Sequence, residues 1–267
     1  MENRSFLYGD GLFETIRVSE GQALYLRAHF ERLTTGLNTL QMQAIKEPLT
    51  YQQFKEIIEG FIAQQATANL RIRSTFFRQG GGRYTPQKQA FDYHLEATPL
   101  ATPAYPAAPS SLIIGLAQQA RLSTDALSPL KTTSALPYVL AGLEKKQQGW
   151  DDCLLLNHQG YIAEAIAANV FLKIGERIVT PALDQGCIAG VMRQQLLQLL
   201  PQLGYEVEER AIALEELQEA DEMWLSNALQ GVVGVTHWIG REQPYKKVNA
   251  EYLQQHLSSW AKKCAVE

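Results

Sequence analysis

Lys131 lies in Ser128-Pro129-Leu130-Lys131-Thr132-Thr133-Ser134, a hydroxyl-rich stretch between a predicted strand and a predicted helix start. An exposed bend at the positive end of a helix disfavours an ammonium, and a neutral amine there forms imines with carbonyl groups. A plain surface lysine is the competing reading, and this stretch taken alone favours it. Glu164 belongs to Tyr161-Ile162-Ala163-Glu164-Ala165-Ile166, where strand alternation puts it on one face with Ile162 and Ile166. A carboxylate on an apolar face requires a cationic or N–H partner, because without one it loses hydration or takes up a proton. A pyridinium N–H and a structural arginine satisfy that requirement equally well. Gly186-Cys187-Ile188-Ala189-Gly190-Val191-Met192-Arg193 runs from a loop into a helix, so the N–H groups near Val191 and Met192 can hold a phosphate, although many helices start after a glycine. Tyr8-Gly9-Asp10-Gly11 reads first as a turn, since no βαβ unit surrounds it.

The elements that must position these residues follow from hydrophobic period. Leu26 to Leu40 and Tyr51 to Gln65 repeat apolar residues at helical spacing, and Leu70 to Phe77 and Ala90 to Ala97 read as strands flanking Gly80-Gly81-Gly82. Four prolines between Ala97 and Pro109 forbid regular structure. The chain therefore divides into a small α+β domain (1–100), a Pro/Ala-rich linker (101–110) and a larger second domain (111–267). In the second domain, Ser111 to Leu116 and Asp152 to Leu156 are strands, and Ala135 to Gln148 is a helix capped by Ser134. Short strands follow at Tyr161 to Ile166, Asn169 to Ile174 and Arg177 to Thr180, then a helix from Gly190 to Leu200. A strand pair, Glu222 to Ser226 and Val232 to Trp238, precedes a helix from about Asn249.

Composition narrows the function. With 267 residues, 46% of them apolar, the chain can bury a large core, and a net charge of −4 without a basic stripe argues against nucleic acid. No apolar run is long enough to span a bilayer, and Met1 leads into Glu2, Asn3 and Arg4 rather than a signal segment, so a cytoplasmic protein is expected. Cys153, Cys187 and Cys264 have no C-x-x-C partner and read as structural thiols in a reducing compartment. The histidines, at 29, 94, 158, 237 and 256, show no ligand spacing, and no metal is expected.

Taken in order, several segments resemble the class IV aminotransferase family, the fold-type IV pyridoxal-phosphate enzymes. They are Tyr8-Gly9-Asp10-Gly11-Leu12-Phe13-Glu14-Thr15, His29-Phe30-Glu31-Arg32-Leu33, Lys131, Gly160-Tyr161-Ile162-Ala163-Glu164 with Ala168-Asn169-Val170-Phe171, Gly190-Val191-Met192-Arg193, and Ala220-Asp221-Glu222-Met223. The resemblance implies a two-domain α/β (α+β) fold: a small N-terminal α+β domain and a larger C-terminal mixed α/β domain, with the cofactor between them. Lys131 is then the Schiff-base lysine, Glu164 the partner of the pyridine nitrogen and Arg32 the phosphate arginine, joined by the N–H groups of Val191 and Met192 and walled by Ile188 and Ala228. Homodimers are usual in the family. Compared with most relatives, the chain starts almost at the Tyr8 segment, without their N-terminal strand pair.

The lining resembles the aminodeoxychorismate lyases of that family most. Glu164-Ala165-Ile166-Ala167-Ala168-Asn169, Ser226-Asn227-Ala228-Leu229 and Arg78-Gln79-Gly80-Gly81-Gly82-Arg83-Tyr84 are similar to theirs, with Gln79 and the absent glycine before Tyr84 as departures. Two arginines suit a substrate with two carboxylates. Tyr8, Arg78, Arg83 and Asn227 are accordingly the expected substrate contacts. Branched-chain aminotransferases place a tyrosine five residues after the lysine; here that position is Leu136, and Tyr138 is not expected to replace it. The resemblance thus implies 4-aminobenzoate and pyruvate as products in folate biosynthesis, with a branched-chain or D-amino-acid aminotransferase as the alternative.

Overall fold

The structure, a computed structural model, describes residues 3–44, 48–107 and 109–264, excluding the side chains of 258, 259 and 261–264. Ala108 of the expected linker and the side chain of Cys264 therefore lie outside the described residues. The chain packs as two units: Met1–Tyr105 with Leu130–Ala135 and Ser258–Glu267, and Pro106–Pro129 with Leu136–Leu257. The short Lys131 segment thus packs with the first unit, whereas the sequence grouped it with the second domain.

In the first unit, α1 (Arg4–Tyr8), β1 (Gly11–Ser19), β2 (Gln22–Ala23), α2 (Leu26–Thr39), α3 (Tyr51–Ile62), β3 (Leu70–Arg78) and β4 (Phe91–Pro99) follow in order. The strands form one antiparallel sheet in the order β2-β1-β3-β4. Leu12, Ile16 and Val18 of β1 share a face with Leu70, Ile72 and Phe76 in a core closed by Leu33, Leu37, Phe54 and Ile58 from the two helices. Helix α3 starts at a capping box, Thr50 with Gln53. Strand β1 had no counterpart in the sequence reading, because its alternation is interrupted by Glu14 on the core face.

The second unit contains β5 (Ile113–Leu122), α4 (Leu136–Gln148), β6 (Asp152–Asn157), β7 (Ile162–Ala165), β8 (Asn169–Ile174), β9 (Arg177–Pro181), α5 (Val191–Gln202), β10 (Glu206–Arg210), α6 (Glu216–Glu219), β11 (Glu222–Asn227), β12 (Gly231–Gly234), β13 (His237–Trp238) and α7 (Val248–Cys264). Two sheets form, ordered β10-β9-β8-β11-β12 and β13-β5-β6-β7. The segment expected as one strand, Val232 to Trp238, is two: β12 pairs with β11 in one sheet and β13 with β5 in the other. Passing from one sheet to the other breaks the strand at Val235 and Thr236. Buried Ile114, Leu154, Ile162, Val170, Leu172, Met223 and Trp238 make one core of this unit. Among the described residues no helix is long and apolar enough to cross a membrane.

Candidate active site

Strand β1 organises the first unit's polar centre. Glu14 shares the buried face of Leu12, Ile16 and Val18 and meets two residues of α2 that lie one turn apart, His29 and Arg32. Arg32 Nε donates to Glu14 Oε1 at 2.8 Å and its terminal nitrogen to Oε2 at 2.5 Å, while His29 Nδ1 donates to Oε2 at 2.6 Å. Burial opposes the Glu14 charge, but the Arg32 charge and the hydrogen bonds from His29 and Arg32 outweigh it and hold this carboxyl down to about 2. Burial pushes the His29 pKa below its ordinary value, against the Glu14 hydrogen bond, so the ring is neutral and carries its proton on Nδ1. His29 is therefore a buried neutral ring that orients the Glu14 carboxylate. The argument applied to Glu164, a carboxylate on an apolar strand face, would have located Glu14 as well.

Lys131 is held by the same strand. Thr132 bridges Leu12, the Phe13 N–H donates to the Lys131 carbonyl at 2.9 Å, and the Thr133 N–H donates to the Gly11 carbonyl at 2.9 Å. Lys131 is thus half-buried on β1, not in an exposed bend, because the backbone of this short segment completes hydrogen bonds at the strand edge. Its Nζ stands 4.6 Å from the centroid of the Phe13 ring. Gly11 lets α1, β3 and the Lys131 segment close on β1, since a Cβ there would lie 2.8 Å from the Phe76 carbonyl oxygen, 2.9 Å from Ser5 Oγ and 3.1 Å from Thr133 Oγ1. Helix α4 begins at Leu136, one residue later than expected.

The expected substrate residues fare differently. Arg78 is 5% exposed and fully engaged: Nε donates to Asp10 at 2.9 Å, and its terminal nitrogens to the carbonyls of Gln41 and Leu40 at 3.2 and 2.5 Å. Asp10 also accepts from Arg4 Nε at 2.8 Å, and Arg4 in turn donates to the carbonyls of Gly82 and Arg83 at 2.8 and 2.7 Å. Arg78 is therefore part of a clasp that shapes the 79–84 loop, not an open fork as expected. Asp10, half-buried between them, draws both arginines. The side chain of Arg83 is exposed, and Tyr8, at the end of α1, faces Tyr84 with ring centroids 5.7 Å apart. Asn227 caps its own turn, its Oδ1 accepting from the N–H groups of Leu229 and Gln230 at 3.0 and 2.8 Å. Ala228 lies within that turn, partly buried.

The second unit surrounds Glu164 with donors. This carboxylate, 3% exposed on β7, receives Tyr138 Oη on Oε1 at 2.5 Å and, on Oε2, the Ile188 N–H at 3.1 Å and Asn169 Nδ2 at 3.3 Å. Asn169 Nδ2 also donates to the Ile188 carbonyl at 2.8 Å. A Cβ on Gly190 would collide with Asn169 Oδ1, so glycine is required where the chain enters α5. Val191 and Met192 are buried in the first turn of α5, and no side chain caps that turn. The arrangement presents a carboxyl group in a cradle of donors and a helix end suited to a phosphate. Tyr138, not expected to act, is the residue the sequence reading missed here.

The chain is similar in sequence, and in one case in fold, to the following proteins. An aminodeoxychorismate lyase from Vibrio harveyi is 29% identical over 253 residues, covering 92% of this chain and 89% of its own. A probable branched-chain-amino-acid aminotransferase from Aquifex aeolicus is 31% identical over 245 residues, covering 86% and 76% respectively. The crystal structure of a 4-amino-4-deoxychorismate lyase from Pseudomonas aeruginosa superposes with a TM-score of 0.84 at 27% identity, covering 97% of this chain and 94% of that one. The model of the amino-transferase class IV family matches residues 11–238, and the chain belongs to that family.

Proposed function

We propose that the protein is a pyridoxal 5'-phosphate-dependent 4-amino-4-deoxychorismate lyase, releasing pyruvate and leaving 4-aminobenzoate. Class IV aminotransferases and their lyase relatives use this cofactor. The residues present fit it. Glu164, a buried anion among O–H and N–H donors, suits a pyridinium N–H, and the uncapped first turn of α5 at Val191 and Met192 suits a phosphate. Arg32 would add its charge to that phosphate, Ile188 and Ala228 would wall the ring, and Lys131 Nζ would hold the cofactor covalently. Bound, the group supplies an electron sink for the carbon that bears the substrate amine.

In this reading Lys131 Nζ removes the proton from the amine-bearing ring carbon and returns one to the departing enolpyruvyl group, which leaves as pyruvate. Loss of that group makes the ring aromatic, which drives the reaction. Arg83 and Tyr8 would receive a substrate carboxylate from the 79–84 loop, and Asn227 would contribute from its turn. The observation that carries the lyase over the aminotransferase is Leu136, 73% exposed where branched-chain enzymes have a tyrosine. The engagement of Arg78 with Asp10 removes one of two expected carboxylate contacts and, of the alternatives (a branched-chain or a D-amino-acid aminotransferase), favours the branched-chain one, whose aliphatic substrate side chain needs neither arginine. A homodimer in the cytoplasm completes the reading.

The test is to assay pyruvate release from aminodeoxychorismate beside 2-oxoglutarate-dependent turnover of leucine and D-alanine. Pyruvate and 4-aminobenzoate in equal amounts are expected. Robust transamination without pyruvate would overturn the choice.

A further inference from the structure

Tyr138 packs against the buried cluster that includes Ala117, Leu122, Cys153 and Ala163, which restricts where its hydroxyl can go. That hydroxyl meets Glu164 Oε1 at 2.5 Å, while Oε2 is served by the separate pair of nitrogens on Ile188 and Asn169. The two carboxylate oxygens are thus unlike, one facing a phenol and the other amide donors. Burial first, then the Glu164 charge and the hydrogen bond itself, raise the Tyr138 pKa, so it serves as a donor. The neighbouring Cys187 thiol is pushed up to about 12 by burial and adds no competing charge.

Resting on the pyridoxal-phosphate reading, we propose that Tyr138 is a positioning residue for the cofactor's ring nitrogen: its hydroxyl keeps Glu164 anionic and fixed, so that the proton between carboxylate and nitrogen resides on nitrogen. The physical reason is a competition between two bases. A buried carboxylate poor in donors holds a proton itself, and each donated hydrogen bond lowers that appetite. Deleting the phenolic O–H would make Glu164 a stronger base. The shared proton would then lie further toward the carboxylate, with no change in how Lys131 would hold the group.

The experiment uses holoenzyme reconstituted with cofactor carrying ¹⁵N at the ring position, read by NMR for the wild type, Tyr138→Phe and Glu164→Gln. The Glu164→Gln protein defines the unprotonated end of the scale. Wild type is expected at the protonated end, and Tyr138→Phe is expected to shift the ratio of protonated to neutral ring nitrogen by roughly tenfold toward neutral, the loss of one hydrogen bond to a charged group. A resonance in Tyr138→Phe coincident with wild type overturns the proposal, even where stability or turnover falls. If the wild type forms no borohydride-stable bond at Lys131, the cofactor reading fails and takes this proposal with it. A labelled wild type with an unmoved Tyr138→Phe resonance removes this proposal alone.

Discussion

Arg32 meets Glu14 edge to edge, two parallel hydrogen bonds of 2.8 and 2.5 Å that join α2 to β1 beneath the sheet. This fork fixes the plane of the guanidinium, which a single contact to one oxygen would not do.

Glu14→Gln should therefore cost more than an ordinary surface change. It leaves the half-buried Arg32 without its counter-ion, an effect of about 3 kcal/mol by denaturant unfolding. Cofactor affinity should fall at least about tenfold, because the arginine that would hold the phosphate loses its orientation. Equilibrium unfolding and fluorescence titration of the apoenzyme check both; wild-type values in both would show the fork to be idle.

Stability should fall in acid through two groups of the same cluster. Glu14 is held at about 2 against an ordinary 4.5, so its contribution is present above pH 4.5 and is lost as pH falls from there through 2, roughly 3 kcal/mol in all. The His29 pKa is lowered by burial, so the unfolded chain binds its proton first. Stability therefore declines as pH drops below the ordinary 6.5. Urea midpoints measured between pH 8 and 3 should show both declines. His29→Gln should flatten the upper one and Glu14→Gln the lower.

Arg78 and Arg83 should separate structure from binding. Arg78→Ala leaves Asp10 short of a cation and two carbonyls unserved, for a loss of about 3 kcal/mol or more in stability. Arg83→Ala, at an exposed position, should change stability by less than about 0.5 kcal/mol. Its effect should appear as a KM raised about tenfold for a carboxylate-bearing substrate. Reversed effects, with Arg78→Ala stable and weak-binding, would restore the role first expected for that residue.

Lys131→Ala should abolish the borohydride-reducible visible band while leaving the fold intact, since the segment is held to β1 by its backbone. Absorbance before and after reduction, with peptide mapping of the wild type, reads this directly. A reducible band that survives the substitution would place the covalent bond elsewhere.

Much of the frame was legible in the chain. Helices α2 and α3, strands β3 and β4 and the short strands around Glu164 follow from apolar period and turn residues, which depend on near neighbours. Lys131 and Glu164 stood out because an amine in a hydroxyl-rich loop and a carboxylate on an apolar face both demand an explanation. Strand β1 escaped notice because Glu14 breaks its alternation, and that break is resolved only by Arg32 and His29, brought from another element.

Tertiary structure alone decided what each polar group is engaged with. The sequence offered both Arg78 and Arg83 as carboxylate contacts, yet Asp10 and two carbonyls occupy the first and leave the second exposed. It dismissed Tyr138, whose hydroxyl proves to be the donor facing Glu164. The physical reason is that a side chain's type and its period along the chain are local properties, whereas its hydrogen-bond partner and its burial depend on which distant segments fold against it.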